Sequence, residues 1–456
     1  MRRSDTPLAQ LLAEVGWRPE HFALRLNQFA GYQGRAERVH AKTPYKWISG
    51  VIPRSPWPTL VAALFSERLQ RIIGPSDLGW PDEGTELVPA SAGLQLPWTA
   101  AGGLQAIQVV TDAGGMQRRM FLTILGSTLT SPALEWLIAH DADDIGRTAG
   151  HTLPIEVVDH LDAMTDRLRR IDDQVGGANS LDLVSAHLTM IRELLQNRRY
   201  DEAVGRRLHA SAGELMRLGG WLSFDAGMHA LAQRWWLGAL YEASAAGDRG
   251  LGANILGFMS CQAKDIGQLR EAVTLAEAAR KGYPATAPRV SAILALRAAE
   301  AYANTGEVTD CRRALDTAFE HLRDNSPSHG TPAWAYWINP AQAHAQAGYC
   351  YLRLEDWPRA RAHLRAALKL QGDGRTREGA LRDALLGITY ARQERPDLDQ
   401  AAALGTQAVE ILTTQVSSAR CVKHVRRLRE TLRPYRRSAR VRQFDHAVED
   451  LIRIRT

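Results

Sequence analysis

The sequence predicts an all-α protein in two parts: a small helical head and a long stack of helix pairs. Three observations predict it. The first is the stretch Ala341–Leu370, AQAHAQAGYCYLRLEDWPRARAHLRAALKL, which reads as two short helices back to back. Ala347, Gly348, Tyr351 and Leu354 mark one face of the first helix. Glu355, Asp356 and Trp357 make a turn, and Pro358 suits the first turn of the second helix. Ala360, Leu364, Ala367 and Leu368 then recur with the 3.6-residue period of an amphipathic helix. Gly348 and Ala360 are small where two axes 8–10 Å apart must cross.

The second observation is recurrence. Ala299, Tyr302, Gly306, Cys311, Leu315 and Ala318 repeat the register upstream, as do Ser260, Ala263, Gly267, Ala272, Ala276 and Ala279. Weaker copies are Gly220, Ser223, Gly227, Ala232, Trp236 and Ala239, then Ile191, Leu194, Tyr200 and Ala203. Gly387, Tyr390, Ala402 and Ala408 continue it downstream. The spacing is roughly 30–50 residues. The third observation is composition: aromatic residues make up 7 % of the chain, and alanine and leucine abound, which favours helix over sheet.

Small-x-x-aromatic, an acidic turn, then Ala-x-x-x-large-x-x-Ala resembles the tetratricopeptide repeat. The resemblance implies a curved α-solenoid over residues 116–456 whose first helices line a groove. The family's groove positions fall on Arg217, Trp221, Phe224 and Asp225; Asn254, Lys264 and Asp265; Glu300 and Asn304; and Gln342, Tyr349 and Arg353. Amides there can pair with peptide backbone, and Lys264 or Arg353 can hold a carboxylate. The plainer reading makes them solvated helix faces.

The head, residues 1–80, is predicted to hold four short helices. PLAQLLAEV (7–15) is amphipathic. Pro19–Ala30 turns Phe22, Leu26 and Phe29 inward. A polar stretch, Gly31–Ala41, carries Arg35, Arg38 and His40. KTPYKWISGVIPR follows, with Thr43 suited to N-cap a third helix, Pro44 to open it and Gly50 to end it. Trp57 between two prolines belongs to a connector or a helix start, and Pro58–Arg71 is the fourth helix. Thr43, Trp47, Gly50 and Pro53 resemble the lambda-repressor-like (Cro/CI-type) helix-turn-helix family. There the third helix enters the major groove. The resemblance implies that Trp47 is core and that Lys42, Tyr45, Lys46 and Ser49 face outward toward phosphates and base edges. Arg54, Arg35 and Arg38 would add backbone contacts. The connector Gly31–Ala41 is longer than the family's turn. A four-helix cap with merely exposed basic residues is the alternative.

Residues 81–115, rich in Gly, Pro, Ala and Thr, read as a linker with one apolar run, LQAIQVV. Met116–His140 resumes as helices, and Pro154–Val175 is a charged amphipathic helix. The insertion DNSPSHGTPAWAYWINP crowds Trp334, Tyr336 and Trp337 together, either as a lid over the groove or as a loop packed between hairpins. Val422, Val425, Leu428 and Leu432 stripe a basic C-terminal helix, read as the solenoid's cap; a second DNA contact or a dimer seam is the sharper alternative.

Charge divides the chain. Residues 1–80 hold eleven Lys or Arg against six Asp or Glu, and residues 420–456 hold twelve against four. With a total of +6, the middle is about −7. Basic ends on an acidic body point to a polyanion partner. Cys261, Cys311, Cys350 and Cys421 lack metal or disulfide spacing and read as reduced core thiols. The N-terminus lacks a signal-peptide core, and Met120–Ala139 is too polar to span a membrane. Nucleotide-loop, zinc-protease and nucleophile-elbow motifs are missing, and His140 and His151 flank Asp141, Asp143 and Asp144 at no metal spacing. The expectation is therefore no enzyme, no metal and no cofactor.

The order of parts resembles bacterial quorum-sensing-type regulators. It implies a cytoplasmic homodimer that binds double-stranded DNA and responds to a peptide or small signalling molecule. A constitutive regulator, using the solenoid only to dimerise, fits the same residues. An adaptor that docks a partner protein and touches no DNA is the alternative from another class.

Overall fold

A computed structural model describes residues 6–32, 37–69, 71–81, 86–112, 119–139, 145–175, 180–323, 330–372 and 377–454. The chain is all-α, with four short strands among the described residues. None of its described helices is long and apolar enough to cross a membrane.

The head holds α1 (Pro7–Glu14), α2 (Pro19–Tyr32), α3 (Thr43–Ile48) and α4 (Trp57–Leu69). Its core is aromatic: Phe22 stacks on Phe65 with ring centroids 5.5 Å apart, and Trp47 meets Phe22, Trp57 and Trp80. Leu26 and Phe29 are buried as their spacing demands, and Gly50 closes α3 at φ +101°. Thr43 does not cap α3; the helix starts on it, and no side chain caps the end. The turn before it already satisfies the donors: His40 accepts the Thr43 N–H on its carbonyl at 2.8 Å and the Lys42 N–H on Nδ1 at 3.2 Å. The described part of the connector is clipped down by Asn27, whose amide exchanges two hydrogen bonds with the Val39 backbone at 2.8 and 2.9 Å.

The stretch expected as a linker carries ordered elements. β1 (Glu86–Pro89) pairs in parallel with β2 (Arg119–Leu122), and α5 (Ala100–Thr111) lies between them in sequence. LQAIQVV is the interior of α5. The β2 segment corrects the expectation of helix from Met116. The ribbon joins two cores: Leu87 and Leu122 pack into the head, whereas Phe121 packs into the body. Glu67 of α4 accepts the Thr123 N–H at 2.9 Å. Composition points to a linker, yet Ala90, Gly102, Gly103 and Ala106 are buried against other chain segments. Gly102 and Gly103 are buried in the first turn of α5, and a Cβ on Gly103 would come within 2.9 Å of Glu242.

α6 (Ser127–Ile138), α7 (Ile155–Val175) and α8 (Leu181–Asn197) lead into the array. A minimal parallel pair, β3 (His151–Thr152) with β4 (Arg198–Arg199), ties the start of α7 to the end of α8. Five hairpins follow: α9 (Glu202–Asp225) with α10 (His229–Ala245), α11 (Arg249–Asp265) with α12 (Leu269–Gly282), α13 (Pro288–Thr305) with α14 (Val308–Arg323), α15 (Pro340–Arg353) with α16 (Trp357–Gln371), and α17 (Arg377–Ala391) with α18 (Leu398–Thr414). The basic α19 (Ala419–Leu432) packs on α17, and α20 (Ala439–Ile454) packs on α18. Val422, Val425, Leu428 and Leu432 are buried there, as the stripe requires.

The hairpins fall on the registers read from sequence, with one exception. The copy at Ile191–Ala203 is not a hairpin of the array, because α9 pairs with α10. At the α15–α16 crossing a Cβ on Gly348 would sit 2.6 Å from Leu364 Cγ, so only glycine permits that approach. All four cysteines are buried and free.

Candidate nucleic-acid interface and ligand chamber

Two places bring the expected residues together. The first is α3 and its flanks. Trp47 is buried, and Lys42, Tyr45, Lys46, Ser49 and Arg54 are exposed, with Thr43 half-buried. A helix of six residues with its tryptophan inward has no choice but to turn its polar positions out. Arg38 is exposed on the connector, its guanidinium bonded to the Glu37 carbonyl at 3.0 Å. Arg35 lies outside the described residues, as do His140 and residues 141–144. Two members are already engaged locally: the Tyr45 hydroxyl donates to Glu20 of α2 at 2.5 Å, and the Ser49 hydroxyl donates to the Lys46 carbonyl at 2.8 Å. The bond from Tyr45 lowers the Glu20 pKa, so this acid stays charged beside the basic face.

The second place is a chamber of about 690 Å³ enclosed by the first helices of the hairpins. It exists because the array curves until its two ends touch. Arg377 of α17 donates to both Asp172 oxygens of α7 at 3.0 and 3.2 Å and reaches Asp225 at 3.4 Å. Ser418 and Arg420, at the start of α19, also bond Asp225, at 2.8 and 3.1 Å. Lys423 donates to the Asp265 carbonyl at 2.9 Å.

Of the twelve groove candidates, Arg217, Trp221, Lys264, Asp265, Glu300, Gln342 and Tyr349 line this chamber. The other five do not. Phe224 is core, packed on Trp221 and Trp236. Asp225 is fully buried and consumed by the closure. Asn254 is buried outside the lining. Asn304 bonds the outer side of Tyr349 at 3.2 Å, and Arg353 sits one turn beyond the lining.

The walls alternate cations and rings. Phe258 lies between the guanidinium groups of Arg217 and Arg297, each 5.2 Å from its centroid. Arg377 and Arg420 flank Trp221 at 5.6 and 5.1 Å, and Lys264 stands 4.7 Å over Tyr349. Such stacking is favourable when desolvated. Glu214 grips Arg217 and Arg169, and Glu300 lies 3.4 Å from Arg297 and 3.7 Å from Lys264. Burial pushes the Asp265 carboxyl up, but Lys264, Lys423 and His424 outweigh it and hold it well below the usual carboxylate range. Burial likewise opposes ionisation of Glu378, yet Arg420 and Arg377 bring it down to about 2. His424, which also lines the chamber, is pushed down to about 3 by burial and is neutral.

The aromatic insertion is divided. Trp334 is buried beside Gly250, as a packing loop would be. Tyr336 and Trp337 line the chamber, as a lid would, and the Tyr336 hydroxyl bonds Asp173 of α7. Sequence counting missed Arg169, Asp172, Arg377, Arg382 and Arg420, because each reaches the chamber through closure of the ring. A faint signal was present: α17 opens REGALRDALL, with two arginines five apart, each followed by an acid, ahead of an apolar run.

Residues 8–81 match the family described as the SP15 N-terminal domain; the match begins in α1 and ends just past α4 and the turn that follows it. No curated protein matches the chain. Among the described residues no group of His, Cys, Asp or Glu is placed to hold a metal ion.

Proposed function

We propose that the chain is a DNA-binding transcriptional regulator: the head reads double-stranded DNA, and the array pairs two copies and holds a small signalling ligand in its chamber. The observation that carries this reading is the division of α3 and its flanks, with Trp47 locked into an aromatic core while Lys42, Lys46 and Arg54 are exposed. Phosphate contacts from such residues supply affinity and register, and side chains on a groove-seated helix supply base discrimination. Paired heads would meet half-sites about one helical turn apart. A ligand that favours one curvature of the closed array over another would alter that spacing.

The adaptor reading has less support. Its docking groove would need room for an extended chain, and Arg377 and Arg420 tie the last elements of the array to the first across that groove.

The test is a titration of fluorescent genomic fragments with the full chain at several salt concentrations. A reader prefers some fragments, loses affinity steeply with salt, and fails when Lys46→Glu and Arg54→Glu are combined, with helix content unchanged. Fragment-blind binding indifferent to those substitutions would sink the proposal. Sedimentation of the same samples reports whether two copies bind together.

A further inference from the structure

Within the chamber nearly every charge has an opposite charge beside it. Arg382 of α17 has no ion pair among the described residues, although Glu378 and Asp383 of the same helix act on it through space. It is 4 % exposed and lines the cavity, yet its guanidinium donates only to neutral amide oxygens: Gln371, and Gln342 at 2.8 Å. Neither Glu378 nor Asp383 comes within ion-pair distance of it, and Glu378 is committed to Arg420 at 2.8 Å. Its Nε is buried without a partner. A buried guanidinium hydrogen-bonded only to two neutral amides has no ion pair of its own, and an incoming anion gains a preset, desolvated fork.

One helical turn from Gln342, on the same face of α15, stands Gln346. It is 5 % exposed, lines the cavity, and its buried Oε1 has no hydrogen-bond partner. An unsatisfied amide at that depth is costly unless something completes it. Residues four apart on a helix lie about 5–6 Å apart, so one small molecule can touch both Arg382 and Gln346. Five residues before Gln342 is Trp337, whose ring lies 6.5 Å from that of Phe258; the two rings, with Arg297 5.6 and 5.2 Å from their centroids, form the neighbouring wall. The chamber volume of about 690 Å³ is that of a site for a single small molecule.

We propose that the chamber binds a compact organic carboxylate, with its acid on Arg382, an N–H or O–H close to the acid on Gln346, and its body against Phe258 and Trp337. N-acylated amino acids have this arrangement of groups. The inference rests on the ligand half of the proposed function and is independent of the DNA half.

The experiment is calorimetric and fluorescence titration of the full chain, without DNA, against N-acetyl-tryptophan, N-acetyl-phenylalanine and N-acetyl-leucine. Each is matched with its carboxamide, and phenyl phosphate is the contrasting anion. At least one acid binds and its carboxamide binds at least about tenfold more weakly, because the charge-assisted bond is lost. Arg382→Gln weakens the acid by at least about tenfold while sparing the carboxamide. Gln346→Met, which removes no bond of the folded chain, weakens both acid and carboxamide and guards against misfolding of the first variant. Carboxamides that bind as well as acids overturn the carboxylate and leave the chamber as a ligand site. Phenyl phosphate binding in the absence of any acid overturns it in favour of phosphate. No binding by any acid in the millimolar range also overturns it. Failure of the DNA titration touches none of these outcomes.

Discussion

Arg377 donates to both carboxylate oxygens of Asp172, 205 residues earlier in the chain, with both side chains almost fully buried. The pair joins the last hairpin of the array to α7, two helices before the first hairpin. Arg377→Met leaves Asp172 as an uncompensated buried acid, while Asp225 keeps Arg420, and breaking such a pair costs about 3–5 kcal/mol. Urea unfolding should show that loss. Double replacement by Arg377→Met and Asp172→Leu should recover part of it, because the remaining charge then has less to balance.

Two acids of α17 set opposite pH dependences. Glu378 is depressed to about 2, so its contribution is complete above the ordinary carboxylate value near 4.5 and is lost as pH falls toward 2. Asp383 is the reverse. Burial, only partly opposed by Arg382, raises it from 3.8 to about 6, so it adds nothing unfavourable below 3.8, destabilises increasingly as pH rises to about 6, and costs a constant amount above that. Asp383→Asn should therefore stabilise the protein by roughly 1–3 kcal/mol at pH 8 and leave it unchanged at pH 3.5. Thermal melts across that range decide the matter.

Trp47 is 5 % exposed and touches three aromatic rings from three parts of the head. Trp47→Ala should cost about 3–5 kcal/mol through the cavity it leaves. Because the head has its own core, hydrogen exchange should rise across α1–α4 while the array keeps its protection.

Gly348→Val tests the α15–α16 crossing. Any Cβ there meets Leu364 Cγ at 2.6 Å and its backbone nitrogen at 3.2 Å, so the helices must part. Overpacking of this kind costs about 1–3 kcal/mol. A variant that melts like the parent would contradict the geometry.

Helix pairs were legible because their signal is local: Gly348, Ala360 and Leu364 lie within one short stretch, and the same spacing recurs. The head's helices were legible for the same reason, through Pro19, Pro44 and Gly50. The chamber was half legible. Lys264, Glu300 and Tyr349 lie on first-helix faces that any curved stack turns inward, so counting along each repeat found them. Asp225 and Arg353 obey the same count yet miss the cavity, because how far the stack curves decides which turn of a helix faces it. That curvature is fixed by Arg377, Ser418 and Arg420 meeting residues about 150–200 positions away. The β1–β2 ribbon was invisible because two strands of four residues pair across an intervening helix. Their side chains alone carry no trace of that partner.

The ring closure carries a further consequence. An open stack of helical repeats can gain or lose a unit and still present a workable surface, since each unit leans only on its neighbours. Here, deleting one hairpin would draw Arg377 out of register with Asp172 and strand Asp225 without its arginines. The number of repeats is therefore tied to the closure, and a change in it would have to be matched by new partners for Asp172 and Asp225.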